Sequence, residues 1–265
     1  MILNYKHYLD MSKKAVCIFS GGLDSTCTLA YVKHNGYQVY ALTFNYGQMS
    51  KQEINTAESL AGIIGVKEHK IIDISFMREL YKESRNVLTY SNNSVDYSSR
   101  SNSNYAVTNI PSTFDYSIVV PIRNAVFISI ASAYAFSINA TLVAYGAHKD
   151  DSMNYPDCRV EFISSIEHAL NLAEIDGIKR GIRNSIKIWS PAIEGLGKAD
   201  LIKIGYKLIG ENIFRTWSCY TNGVLTNSNI QKVKERIHCG RCESCNNRKR
   251  AFLEAGVKDM TKYAF

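Results

Sequence analysis

Proline is scarce in this chain, at four of 265 residues, and tryptophan scarcer still, with two. Together with 46% hydrophobic and 21% charged residues, that shortage excludes collagen, a coiled coil and intrinsic disorder. No acidic excess exists either. Thirty-one Lys and Arg against 24 Asp and Glu leave a formal charge of +7, a mild bias toward anionic ligands such as nucleotides or RNA. No secretory leader is expected either, since Lys13 and Lys14 precede an apolar run of only Ala15 to Phe19. One charge-free stretch, Asn124 to Ala147, is long enough to span a bilayer. However, Ser129, Ser132, Ser137, Asn139 and Thr141 interrupt it, so it reads as a buried helix followed by a central strand. A soluble, cytoplasmic protein is expected. The length fits one large domain, or one domain with an appendage.

A disulfide framework is also absent. Seven cysteines is an odd count, and Cys239, Cys242 and Cys245 crowd into seven residues. Strand and helix signals instead alternate along the chain. Strands are predicted at Val16–Phe19, Gln38–Phe44, Glu68–Ile74, Thr141–Gly146 and Ile186–Trp189. Helices are predicted at Asp24–Asn35, Lys51–Ile64, Arg123–Asn139, Glu161–Ile175 and Lys198–Leu208, with Gly36 and Gly65 placed to close the first two. This alternation predicts an α/β fold, a doubly wound parallel sheet with a small C-terminal zinc-binding lobe. Ligands of such sheets bind beyond the carboxyl ends of the strands. The expected organisation is an N-terminal extension (1–14), a nucleotide-binding domain (15–215) and a Cys-rich, basic lobe poor in strand signal (216–265). Residues 91–104 hold ten Ser or Asn in fourteen and read as a lid or a disordered loop.

The run from Val16 to Thr26 combines a strand, a glycine turn and a helix start. Glycines let backbone N–H groups approach an anion, the helix terminus adds partial positive charge, and Ser20, Ser25 and Thr26 supply hydroxyls. An ordinary capped turn would look similar. The Gly-Lys-Ser/Thr ending of a Walker loop is lacking, and so is a dinucleotide GxGxxG turn. The string Ser20-Gly-Gly-Leu-Asp-Ser25 resembles the pyrophosphate loop of the ATP pyrophosphatase superfamily. That resemblance implies that Ser20, Gly21, Gly22, Ser25 and Thr26 cradle pyrophosphate while Asp24 holds Mg2+ or orients the phosphates. Farther on, Cys219 with Cys239-x2-Cys242-x2-Cys245 offers four soft ligands to a tetrahedral Zn2+. A cubane iron–sulfur cluster accepts the same spacing. Buried filler cysteines do not fit, because Arg241, Glu243, Asn246, Arg248 and Lys249 are interleaved. Cys17 and Cys27 fall in apolar segments and read as packing residues.

Together the strings resemble the 7-cyano-7-deazaguanine synthase family. They are Phe19 to Ser25, Asn45-Tyr-Gly-Gln48 with Gln52-Glu53, Ile110 to Phe114, Val120-Pro-Ile-Arg-Asn124, Tyr155-Pro-Asp-Cys-Arg159 with Glu161-Phe162, Lys198-Ala199, Thr216 to Tyr220, and Cys239 to Cys245 with Arg248. The resemblance implies that ATP adenylates 7-carboxy-7-deazaguanine, ammonia displaces AMP to give the amide, and a second ATP activates the amide for dehydration to the nitrile. It implies Asp24, Arg123 and Lys198 as catalytic residues. An ATP site is implied at Phe19, Ser20, Gly21, Gly22, Leu23, Asp24, Ser25, Thr26, Tyr46 and Gln48, and an acid site at Arg123, Asn124, Tyr155, Asp157 and Arg159. Cys219, Cys239, Cys242 and Cys245 would hold structural Zn2+. The cofactors expected are ATP, Mg2+ and Zn2+, the assembly a homodimer, and nucleic acid is not expected as a direct substrate. Cys158 is expected to pack rather than attack, since no acyl-enzyme is required.

Several positions depart from the family's usual strings. Met49-Ser50 follows Tyr-Gly-Gln where His is usual two residues on, and Asp151-Ser152-Met153-Asn154 precedes Tyr155 where the family often has Asp-Phe/Tyr-Ser-Gly. Asp115 to Val119 is extra, Ile122 replaces Gly or Ala, and the Cys219–Cys239 spacing is long. These changes surround the expected acceptor pocket and leave two other readings open. One is a ligase of the anti-phage-defence type, joining the deazaguanine acid to a protein amine. The other is an RNA-thiolating enzyme of the same superfamily.

Overall fold

The computed structural model describes residues 13–48, 50–81, 119–227 and 234–265. The Ser/Asn-rich segment 91–104, the string Ile110 to Phe114 and most of the N-terminal extension lie outside these residues. Five parallel strands form one sheet: β1 (Lys14–Ile18), β2 (Gln38–Asn45), β3 (Glu68–Asp73), β4 (Leu142–Ala144) and β5 (Lys187–Trp189). Their order is β3-β2-β1-β4-β5, so the winding reverses between β1 and β4. The doubly wound architecture expected of the alternating pattern is the one observed. The α-helices among the described residues are α1 (Leu23–His34), α2 (Gln52–Ile64), α3 (Met77–Leu80), α4 (Arg123–Ser137), α5 (Val160–Ala173), α6 (Ile175–Lys179), α7 (Lys198–Ile209) and α8 (Glu243–Ala255).

Period-two alternation sends successive strand residues to opposite layers. Ala15, Cys17, Val39 and Ala41 meet Leu29 and Val32 of α1 and Ala57, Leu60 and Ala61 of α2. Val16, Leu42, Phe44 and Val143 meet Phe127, Ile128, Ala131 and Ala135 of α4 and Ile163 of α5. The charge-free stretch thus resolves into α4 and the wholly buried β4. No described helix is long and apolar enough to cross a membrane. Gly65 closes α2 in the left-handed region at φ +73°, its N–H reaching Ala61 O, as the sequence predicted.

A third layer forms where α7 and α8 pack outside α1, burying Leu23, Cys27, Leu201, Ile202, Ala251 and Phe252. The C-terminal segment therefore shares a core with the sheet's outer helix. It also contains an antiparallel hairpin, β6 (Val224–Asn227) with β7 (Lys234–Ile237), registered Val224 opposite Ile237. The expectation of a lobe poor in strand signal misses this hairpin. Four-residue strands carrying Thr226, Glu235 and Arg236 present too little alternation to be read from sequence.

Candidate active site

Beyond β1 the chain turns sharply through Phe19–Gly22 into α1. Gly21 adopts φ +74°, and a Cβ there would lie 2.6 Å from Ala57 N and 2.8 Å from Glu53 O, so only glycine lets this turn rest against α2. The hydroxyls brace the turn. Ser20 Oγ and Ser25 Oγ are 3.0 Å apart, Gly22 N donates to Ser20 Oγ (3.2 Å), and Thr26 Oγ1 donates to Gly22 O (2.7 Å). No side chain caps α1, so its first turn presents N–H groups that lack intrahelical partners. Opposite, a Cβ on Gly146 would come within 2.8 Å of Ser25 N, which brings the end of β4 hard against the loop.

A cavity of about 750 Å³ opens beyond the carboxyl ends of β1, β2 and β4, at the switch point. Phe19, Ser20, Gly22, Leu23, Asp24 and Ser25 line one end; Gly21 and Thr26 stand behind them and support the turn. Lys198, at the start of α7, places Nζ 2.6 Å from Asp24 Oδ2. Burial works against ionisation of Asp24, but Lys198 and His148 outweigh it and hold the carboxyl below its ordinary range. His148 is a site residue the sequence reading missed. Its Nε2 lies 3.8 Å from Asp24 Oδ1 and 3.4 Å from Asp151 Oδ2, and its Nδ1 lies 3.6 Å from Asp150 Oδ2. Burial pushes the Asp151 carboxyl up. Asp24 Oδ1 and His148 Nδ1 are buried without a hydrogen-bond partner. The available signal was a His followed by two acids just after a buried strand.

The other end of the cavity is assembled from scattered segments. Arg123 begins α4 and lies 5.9 Å from the Tyr46 ring centroid. Burial would lower its pKa, but Tyr46 and Asp157 outweigh it, so the guanidinium stays charged. Asn124 donates from its backbone N and its Nδ2 to the two oxygens of Asp157 (3.2 and 3.1 Å). Tyr155, Asn124 and Cys158 line the cavity, whereas Asp157 and Arg159 do not; Arg159 Nε donates to Ser152 O. Gln48 lines it too, but its side chain is engaged with Tyr46 N and Phe44 O, bracing the turn after β2. Burial raises the Cys158 thiol, which suits packing and not nucleophilic attack. Glu53 was quoted only as part of a string, yet it faces the cavity, and burial pushes its carboxyl up to about 7 despite Arg123.

Beside this cavity, Cys219, Cys239, Cys242 and Cys245 bring four sulfurs within 4.8 Å of one another. A single tetrahedral Zn2+ with bonds of about 2.3 Å would hold its sulfurs about 3.8 Å apart; Cys239 Sγ and Cys245 Sγ are 3.9 Å apart. A cubane spreads its thiolates over separate irons, so this tight cluster fits one ion better. Backbone N–H groups of Cys239 and Cys242 donate to the sulfurs of Cys219 and Cys239 (3.5 and 3.4 Å), as thiolate ligands require. The guanidinium of Arg248, fully buried, donates to Thr216 Oγ1, Ser218 Oγ, Thr261 Oγ1 and Ile213 O, tying the cluster to the sheet domain.

The family model for queuosine biosynthesis protein QueC matches residues 14–256. The chain belongs to the QueC family. Proteins named 7-cyano-7-deazaguanine synthase are similar along nearly its whole length. The one from Coxiella burnetii is 39% identical over 95% of this chain and 98% of its own. Those from Thermoplasma acidophilum and Caldicellulosiruptor bescii are 38% and 37% identical, over 95% and 94% of this chain and 92% and 97% of theirs. This QueC-family chain is thus an enzyme. Two of its departures have visible consequences. Ser50 is buried and bonded to the C-terminal segment. Ile122 precedes Arg123 at φ +49°, ψ +21°, a conformation that suits Gly and strains a β-branched residue.

Proposed function

We propose that the protein converts 7-carboxy-7-deazaguanine, ATP and ammonia to 7-cyano-7-deazaguanine. The carrying observation is a single cavity that joins the Ser20–Ser25 loop and Lys198 at one end to Arg123 at the other, in a chain of this family. A carboxylate is a poor electrophile until one oxygen becomes a good leaving group. The acid oxygen attacks the α-phosphorus of ATP, releasing pyrophosphate and forming an acyl-adenylate. Ammonia adds to the acyl carbon, AMP departs with that oxygen, and a proton is lost to give the amide. The amide oxygen then attacks the α-phosphorus of a second ATP, releasing a second pyrophosphate, and loss of AMP and two protons leaves the nitrile.

In this reading the helix terminus and hydroxyls of Ser20 and Ser25 hold the leaving pyrophosphate, and Lys198 neutralises developing phosphate charge. Phe19, Gly22, Leu23 and Tyr46 flank the nucleotide. Arg123 binds and orients the substrate carboxylate through a bidentate contact, and Tyr155 and Asn124 shape the base pocket, with Asp157 holding Asn124. Asp24, whose Oδ1 lacks a partner, would hold Mg2+, which when bound screens the pyrophosphate. The four cysteines would hold Zn2+ as a structural cross-link in a lobe beginning near Thr216. To test this, the protein is incubated with ATP, the acid and 15N-ammonium, and the products are weighed. A nitrile carrying 15N supports the reading. Consumption of the acid only with a partner protein, giving an amide on that protein, supports the defence-type ligase instead.

A further inference from the structure

Trp217 stands where three parts of the molecule meet. Its backbone N–H donates to Gly21 O of the phosphate loop (2.9 Å). Its indole Nε1 donates to Ser50 Oγ (2.9 Å), just ahead of α2, and to Cys219 O (3.0 Å), within the four-cysteine cluster. The side chain is buried, its ring centroid 4.5 Å from that of His238 at a tilt of 34°, and His238 Nε2 accepts from Ser218 N. Gly223 makes room for the indole, since a Cβ there would lie 2.5 Å from Trp217 Cη2. A second tie runs parallel: Asn222 Oδ1 accepts from Gln52 N at the start of α2 (3.3 Å). Because Gly21 in turn rests on α2, the phosphate loop, α2 and the cysteine cluster form a closed triangle with Trp217 inside it.

We infer that Trp217 is a positioning residue that clamps the phosphate loop to the four-cysteine centre, so that metal occupancy sets the affinity for ATP. The inference rests on the proposed ATP site, and it goes further by making the distant metal centre part of nucleotide recognition. A loop that binds phosphate through backbone N–H groups depends on a fixed backbone. The Trp217–Gly21 bond holds the turn's carbonyl, while the indole prevents Trp217 from drifting relative to Cys219. Without the metal, the Cys219 end of this brace is free to shift.

The chain's two tryptophans make the clamp readable. Trp189 stacks on Tyr31 of α1, and Trp189→Phe leaves Trp217 as the single tryptophan, excited selectively at the red edge of the protein absorbance. In that background ATP is expected to change the emission, and chelation of the metal is expected to shift it to the red and weaken ATP binding at least 5-fold. Trp217→Phe, in the otherwise natural chain, is expected to raise KM for ATP about 10-fold while lowering kcat less than KM rises, with metal content by elemental analysis unchanged. Ser50→Ala, which removes one indole partner, is expected to raise KM 2- to 3-fold, and it serves as the test should Trp217→Phe lose its metal or its fold. Unchanged ATP affinity in a metal-loaded variant of either kind, or after chelation with the helical circular dichroism intact, overturns the inference. Failure of the natural protein to bind ATP at all counts against the proposed site and not against the clamp.

Discussion

The two ends of the cavity are built in opposite ways. The phosphate end is built on eight consecutive residues, Phe19 to Thr26, whose backbone geometry and mutually braced hydroxyls are joined by one distant side chain, Lys198. The acceptor end draws Glu53, Arg123 and Cys158 from three segments, and burial displaces the ionisation of Glu53 and Cys158. A local device needs few outside supports, here the α2 backbone against Gly21 and the Trp217 N–H bond to Gly21 O. An assembled pocket changes its chemistry whenever one supporting segment changes. The departure at Ile122, next to Arg123, belongs to that second construction, whereas Ser50 braces the phosphate end through Trp217.

The sharpest way to break this contrast is at Lys198. Lys198→Met removes the cation 2.6 Å from Asp24, and AMP release at saturating substrates should fall about 100-fold, as loss of a positioned charge donor does elsewhere. A fall below 3-fold would mean that the phosphate end does not need it. At the acceptor end, Arg123→Lys keeps the charge but loses the fork. Here KM for the acid should rise about 10-fold, with KM for ATP within 2-fold. Equal rises in both constants would show that the two ends are not separable.

Glu53 gives a smaller, pH-dependent effect. Its carboxyl is raised from 4.5 to about 7, burial being the leading cause, so the folded form holds the proton more tightly than the unfolded chain does. This contribution to stability is complete below pH 4.5 and is lost as pH rises through 7. Glu53→Gln should therefore melt like the natural chain near pH 4 and a few degrees higher at pH 8. Equal melting temperatures at both pH values would contradict the displaced carboxyl. The smallest effect belongs to Ile122→Gly. It relieves a left-handed β-branched residue but adds unfolded-state freedom, and a gain of about 1 kcal/mol or less in denaturant unfolding is expected.

Legibility in the sequence followed the same divide. The strands, their flanking helices and the glycine turn were readable because each is specified by neighbours within one turn or pleat. The cysteine centre was readable because its ligand spacing is local apart from Cys219. His148, Asp151 and Glu53 were not singled out, since a lone His or Glu acquires meaning only from what the β1–β4 crossover brings beside it. Gln48 illustrates the converse: an expected nucleotide contact whose amide is bonded to its own turn. Arg159 and Asp157 likewise sit in the expected string while facing Ser152 and Asn124. The link from Trp217 to Gly21 spans nearly two hundred residues, and no periodicity encodes it.

The central claim is that both ends of the cavity act on the same oxygen in each round, so that the acid's two oxygens pass in turn to two nucleotides. Oxygen-18 in the carboxylate of 7-carboxy-7-deazaguanine follows them directly. Mass analysis of the spent nucleotide should find the label in AMP, two labelled AMP for each nitrile formed, with unlabelled pyrophosphate. Label in inorganic phosphate accompanied by ADP, or in water with AMP unlabelled, would contradict the account.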